Sequence, residues 1–207
     1  MVAAGVNVGV MKPVASGCRR VRGELVCDDA LELVRAAGLK GVPEDCCPVR
    51  YAPPLGPSVA ARQEGRGFSL RRVMSAFRRV SRGRDFVIVE GVGGLAVPLG
   101  GGLDVADLAA AMRLPLLVVA ADRLGVLNHT LLTLQCAGRR GLRVAGVVLN
   151  RPTGGGDVSR RSNAEELRRL GVPLLAELRH CRSSRSGARR LESLARELIA
   201  SGERRRR

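Results

Sequence analysis

Apolar residues recur along the chain in two patterns. In the first, short runs of Val, Leu, Ile and Ala occupy residues 6–11, 86–89, 114–121, 144–150 and 172–178. Such continuous runs read as strands of a parallel sheet buried on both faces. In the second, apolar positions return at helical spacing. Ala30, Leu31, Val34 and Ala37 form one stripe, and Val73, Met74, Phe77 and Val80 another. Asp28 is the expected N-cap of the first of these helices, and Gly38 ends it. Further helices are predicted over 58–66, 104–112, 130–140, 165–170 and 188–200, and the Pro, Gly and Cys content of 41–58 predicts a loop.

Strands that alternate with helices predict an α/β fold, a mainly parallel sheet with helices on both faces. Lys12, Glu90, Asp122 and Asn150 each fall where a predicted strand ends. They are therefore expected along one edge of the sheet, where ligands bind in open α/β folds.

The edge residues carry recognisable chemistry. Glu90 closes the 86–89 strand and is followed by Gly91, Gly93 and Gly94. A carboxylate beside glycines that let backbone approach a ligand suits a Mg²⁺-nucleotide site; it equally describes a solvated Glu before a flexible turn. Lys12 stands between the 6–11 run and Pro13, with Ser16 on the loop beyond. A lysine there is either a point charge for phosphate or carboxylate, or an ordinary surface base. Asp29, in the first turn of a helix, either favours the helix dipole or ligates a metal.

Composition limits the alternatives. The 207 residues, 45% hydrophobic, are enough for one domain with a sizeable core. No apolar run is long enough to span a bilayer, and no basic and apolar leader opens the chain. The formal charge is +16, but the arginines sit in dispersed pairs and aromatic residues make up only 2%. Single-strand binders need stacking platforms, so a solvated arginine-rich surface is expected rather than specific nucleic-acid binding. Six cysteines and two histidines form no metal motif, and reduced thiols in a cytoplasmic protein are the expectation.

Five stretches together resemble the dethiobiotin synthetases: Met11-Lys-Pro-Val-Ala-Ser-Gly17, Asp29-Ala-Leu, Val89-Glu-Gly-Val-Gly-Gly94, Leu124-Gly-Val-Leu-Asn-His129 and Leu149-Asn150. The resemblance implies a P-loop NTPase-like fold and a homodimer. It implies ATP-dependent carboxylation of 7,8-diaminopelargonate by carbon dioxide, followed by ring closure, with ADP and phosphate released. Lys12 is then the catalytic residue, and Ser16 binds substrate. Asp29 and Glu90 hold Mg²⁺. Glu90, Gly91, Gly93, Gly94 and Asn150 bind nucleotide. Gly125, Val126, Leu127 and Asn128 take the substrate's carboxylate tail from the neighbouring subunit.

The chain departs from the family pattern in two places. That family opens with a strand and a phosphate loop ending Gly-Lys-Thr, and no G-x-x-x-x-G-K-[ST] occurs in this sequence. Glu177-Leu-Arg-His180 stands where the family carries a Pro two residues after the Glu, beside the adenine. The expectation is thus a single domain over 1–207 without that strand and loop, weak in ATP binding as written, with a basic frayed tail over 201–207. The alternatives are an inactive homologue that serves as a binding or regulatory partner, and another NTPase of the same branch, an amidating synthetase or a partition-type ATPase.

Overall fold

A computed structural model describes residues 1–40, 44–181 and 184–203. The chain divides into two compact units, residues 1–112 and 113–207. Of the expected frayed tail, 201–203 continue the last helix, and 204–207 lie outside the described residues.

In the first unit, strand β1 (Val8–Met11) is followed by β2 (Val14–Ala15), the hairpin β3 (Arg19–Val21) and β4 (Glu24–Val26), and helix α1 (Asp28–Ala36). Then come β5 (Val49–Arg50), α2 (Pro57–Gln63), α3 (Leu70–Ser81), β6 (Phe86–Val89), the hairpin β7 (Pro98–Gly100) and β8 (Leu103–Asp104), and α4 (Val105–Met112). Strands β1 and β6 pair in parallel, with Val8 opposite Phe86 and Met11 opposite Val89. Side chains alternate across β1. Val8 and Val10 join a core with Ala30 and Val34 of α1. Gly9, between them, meets the Val80 carbonyl and the Arg84 side chain on and just beyond α3. Helices therefore cover both faces of β1, as expected, and all four of its residues are buried.

The second unit runs β9 (Leu116–Ala121), α5 (Val126–Arg139), β10 (Val144–Asn150), α6 (Asn163–Arg169), β11 (Leu174–Leu178), α7 (Ser184–Arg190) and α8 (Glu192–Glu203). Its parallel sheet has the order β11-β10-β9. Val126 of α5 and Leu167 of α6 bury Val147 and Leu149 of β10, with Val118 and Ala120 of β9 beside them.

Three features differ from the sequence expectation. Strands β6 and β9 are not buried on both faces: Ile88 is exposed, and β9 alternates half-buried with exposed positions, Val119 among the latter. Each pairs with one neighbour only, β6 with β1 and β9 with β10, among the described residues. The N-cap of α1 is Cys27, not Asp28: its sulfur accepts from the Ala30 amide at 3.4 Å. Helix α5 begins at Val126, four residues before the expected start, because Gly125 takes a left-handed conformation (φ 92°) that lets the chain turn straight into the helix.

Candidate active site

Parallel, in-register pairing of β1 with β6 brings Lys12 and Glu90 side by side. They are the next residues after the paired Met11 and Val89, and the Glu90 amide donates to the Met11 carbonyl at 2.8 Å. Residues 78 apart in sequence thus meet at the carboxyl ends of two strands. Lys12 is 5% exposed. Its ammonium donates to Glu90 Oε1 at 2.7 Å and to the Gly91 carbonyl at 2.9 Å, and pairs with Asp29 Oδ2 at 2.9 Å. Three donors meet three acceptors, so the buried cation is fully satisfied. Burial pulls the Lys12 pKa down; the hydrogen bonds to Glu90 and Asp29, then their charges, more than offset it and leave it above the ordinary lysine value. Lys12 is therefore a fixed positive charge at neutral pH.

Asp29 reaches this point because Cys27 starts α1 two residues earlier, placing Asp29 in the first turn. Unlike Lys12, the two carboxylates are about half exposed. One cation and two anions give the cluster a local charge of −1 in a chain of formal charge +16. Such a cluster favours an incoming cation. Mg²⁺ is held by one or two carboxylates together with waters and phosphate oxygens, and Asp29 and Glu90 provide that donor chemistry with oxygens open to solvent.

Around the cluster, Gly91 carries the carbonyl bonded to Lys12. Gly93 has a φ of 62°, and a Cβ there would lie 2.9 Å from the Val97 side chain. Gly94 has open space where a Cβ would be. Gly17, also left-handed (φ 71°), donates its amide to the Pro53 carbonyl and fixes the loop carrying half-buried Ser16. Lys12 is anchored from a second side by its amide, which donates to the Cys46 carbonyl at 2.7 Å. Sequence reading did not single out Cys46 or Pro53 as part of the site. They come from the 41–58 segment, expected as a plain loop, which in its described part holds a 3₁₀ turn at Glu44–Cys46 and strand β5.

In the second unit, Asn150 ends β10 between Ala121 and Leu178. Its carbonyl accepts from the Asp122 amide at 2.7 Å. Asp122 is the buried hub of a network: Arg151 donates to Oδ2 at 2.7 Å, Asn163 to Oδ1 at 2.8 Å, and Arg160 to its carbonyl. Asp122 thereby holds the end of β9 and is not offered to a ligand. Gly125 caps α5, and Val126, Leu127 and Asn128 form its first turn, Val126 buried and Asn128 exposed. The side chains of Ser16, Asn128 and Asn150 form no hydrogen bond among the described residues. Glu177 pairs with Arg168 at 2.6 Å, and His180 contacts the Pro152 carbonyl, so the divergent 177–180 stretch is occupied within its own unit. Among the described residues no group of three or more His, Cys, Asp or Glu is arranged to hold a metal ion, so any metal here relies on the paired carboxylates and its other ligands. No described helix is long and apolar enough to cross a membrane.

Parallel strands that end in a lysine and a glutamate, with an aspartate from the first turn of α1 and a glycine turn beside them, are the frame of a P-loop NTPase-like α/β protein, and residues 1–185 match the family model described as an AAA domain. Relatives narrow this further. The chain is 48% identical to the ATP-dependent dethiobiotin synthetase of Anaeromyxobacter dehalogenans (strain 2CP-C) over 168 residues, 81% of this chain and 74% of the relative. It is 39% identical to that of Aromatoleum aromaticum over 171 residues, 82% and 76% of the two chains. It is 36% identical to that of Bacillus subtilis (strain 168) over 170 residues, 82% and 72%. The chain belongs to the dethiobiotin synthetase family.

Proposed function

We propose that the protein is an ATP-dependent dethiobiotin synthetase. In this reading it carboxylates 7,8-diaminopelargonate with carbon dioxide and closes the ureido ring, releasing ADP and phosphate. The observation that carries the reading is the convergence of Lys12, Asp29 and Glu90 at the ends of β1, α1 and β6. A carbamate formed on one amine attacks the γ-phosphate of ATP, and the second amine then displaces phosphate from the mixed anhydride. All the reacting groups are substrate-borne, so the protein's share is positioning and electrostatics.

Lys12, held charged, faces the anionic carbamate and the transferred phosphoryl oxygens. Ser16, on the loop beyond β2, supplies a hydroxyl for the substrate. Asp29 and Glu90 are the residues that would hold Mg²⁺, which when bound neutralises phosphate charge. Gly91, Gly93 and Gly94 let backbone come close to the nucleotide, and the unpaired Asn150 amide can match the paired donor and acceptor of an adenine edge. The first turn of α5, with amides that an α-helix leaves without intrahelical acceptors, suits the substrate's carboxylate. In this reading that turn comes from the second subunit of a homodimer in the cytoplasm.

The test is product formation from ATP, bicarbonate and diaminopelargonate by the purified protein. Glu90→Gln and Lys12→Ala are each expected to lower turnover by about 100-fold or more, as loss of one preorganised charge does. Near-normal turnover of both variants would overturn the site.

A further inference from the structure

Three thiols meet beside this site. Cys18, Cys27 and Cys47 share one buried core. All six cysteines are free. The β3–β4 hairpin sets the relation of two of them. Its turn is Arg22-Gly23, both at positive φ (51° and 88°), a two-residue loop of the kind that closes on a hydrogen-bonded pair. That pair is Val21 and Glu24; Arg20 and Leu25 come next, then Arg19 and Val26. Hydrogen-bonded and non-hydrogen-bonded pairs alternate outward. One step further, Cys18 and Cys27 therefore face each other at a non-hydrogen-bonded position. Consistent with this, the Cys18 amide donates to the Tyr51 carbonyl instead, at 3.0 Å. Cα atoms at such positions are about 4.5 Å apart, inside the range that a disulfide spans.

We infer that Cys18 and Cys27 are a reversible disulfide site, closed across the hairpin by a peroxide-class oxidant. The Cys27 sulfur attacks one peroxide oxygen. The O–O bond breaks, one oxygen leaves as water, and Cys27 becomes a sulfenic acid. The Cys18 sulfur then attacks the Cys27 sulfur. The S–O bond breaks, and the departing hydroxide leaves as water with the Cys18 proton. Two thiols and one hydrogen peroxide give one disulfide and two waters. Cys47 is the worse partner, because its thiol is turned to the Val49 carbonyl at 3.7 Å. Both Cys18 and Cys27 retain 6% exposure beneath an exposed β3 strand. A cavity of about 230 Å³, lined by Arg20, Glu24, Leu25 and Cys47, opens along the same hairpin and admits a molecule as small as a peroxide to its flank, though Cys18 and Cys27 do not themselves line it. Closing the bond ties the Ser16-Gly17 loop to the start of α1, the helix that carries Asp29. That consequence rests on the proposed function; the bond itself does not.

The test is mass spectrometry of the native protein treated with hydrogen peroxide. Trypsin places Cys18 in peptide 1–19, Cys27 in 23–35, and Cys46 with Cys47 in 41–50. The expected result is a loss of about 2 Da from the intact protein, peptides 1–19 and 23–35 joined, and reversal by dithiothreitol. Cys18→Ser and Cys27→Ser should each abolish the link. Serine is itself a strong N-cap, so Cys27→Ser keeps α1 capped. A link between 23–35 and 41–50, or oxygen adducts on either cysteine without a cross-link, would overturn the assignment. These outcomes are read whether or not the protein makes dethiobiotin.

Discussion

Lys12 is the residue on which the site turns, and its environment makes a claim about pH. The Lys12 pKa stands above its ordinary value of 10.5 because Glu90 and Asp29 favour the charged form. A group whose pKa is raised on folding adds stability that is fully present below the unfolded value and is lost as pH rises through the folded one. The difference in melting temperature between the wild-type protein and Lys12→Met should therefore be flat across the neutral range and shrink only above the ordinary lysine value. A difference that already shrank across the neutral range would mean that Lys12 is not held charged there. At this scale much was legible in the sequence. A lysine before Pro13 and a glutamate before glycines mark strand exits, and their types fit phosphate chemistry. The chain does not reveal by pattern that Asp29 joins them. That depends on where α1 starts, and a cysteine N-cap is not a signal that helix-start rules carry. Asp122 is the converse case: a strand-exit carboxylate in sequence, but spent on Arg151 and Asn163 once folded.

Between elements, β1 passes close to α3. A Cβ on Gly9 would lie 2.8 Å from the Val80 carbonyl oxygen and 3.1 Å from Arg84 Cγ. The nearer atom is backbone and cannot turn away. Gly9→Ala is expected to destabilise the protein by about 1–3 kcal/mol, with a melting temperature some degrees lower. An unchanged melting temperature would mean that α3 can slide off β1 without loss. The long apolar runs declared β1, β6, β9, β10 and β11 correctly, since a run of four to eight aliphatic residues has few other uses. The hairpins were silent. Strand β3 is three exposed residues, and its turn is Arg-Gly rather than the Asn-Gly or Asp-Gly that such turns favour. Helix α5 was misplaced at its start for a related reason: a glycine that usually breaks a helix here begins one.

Over the whole molecule, the positive charge is partly neutralised where it lies. Arg19 pairs with Asp28, Arg79 with Asp45, Arg168 with Glu177 and Arg169 with Glu166, all partly or largely exposed. A charge held this way gives weak, salt-sensitive attraction to polyanions. In the proposed homodimer, Lys12, Asp29 and Glu90 come from one subunit and Asn128 from the other. Asn128→Ala should then raise the KM for the diamine and leave the affinity for ATP nearly unchanged. The sharper experiment mixes two weak variants, Lys12→Ala and Asn128→Ala, and lets the subunits exchange. A mixed dimer would hold one site lacking both residues and one site with both intact. Random exchange makes half of the dimers mixed, so about a quarter of all sites should regain wild-type behaviour. Activity that appears on mixing and grows with exchange supports the shared site. If each subunit instead completes its own site, every site in the mixture still lacks one of the two residues, and activity stays at the average of the two variants however long they are mixed.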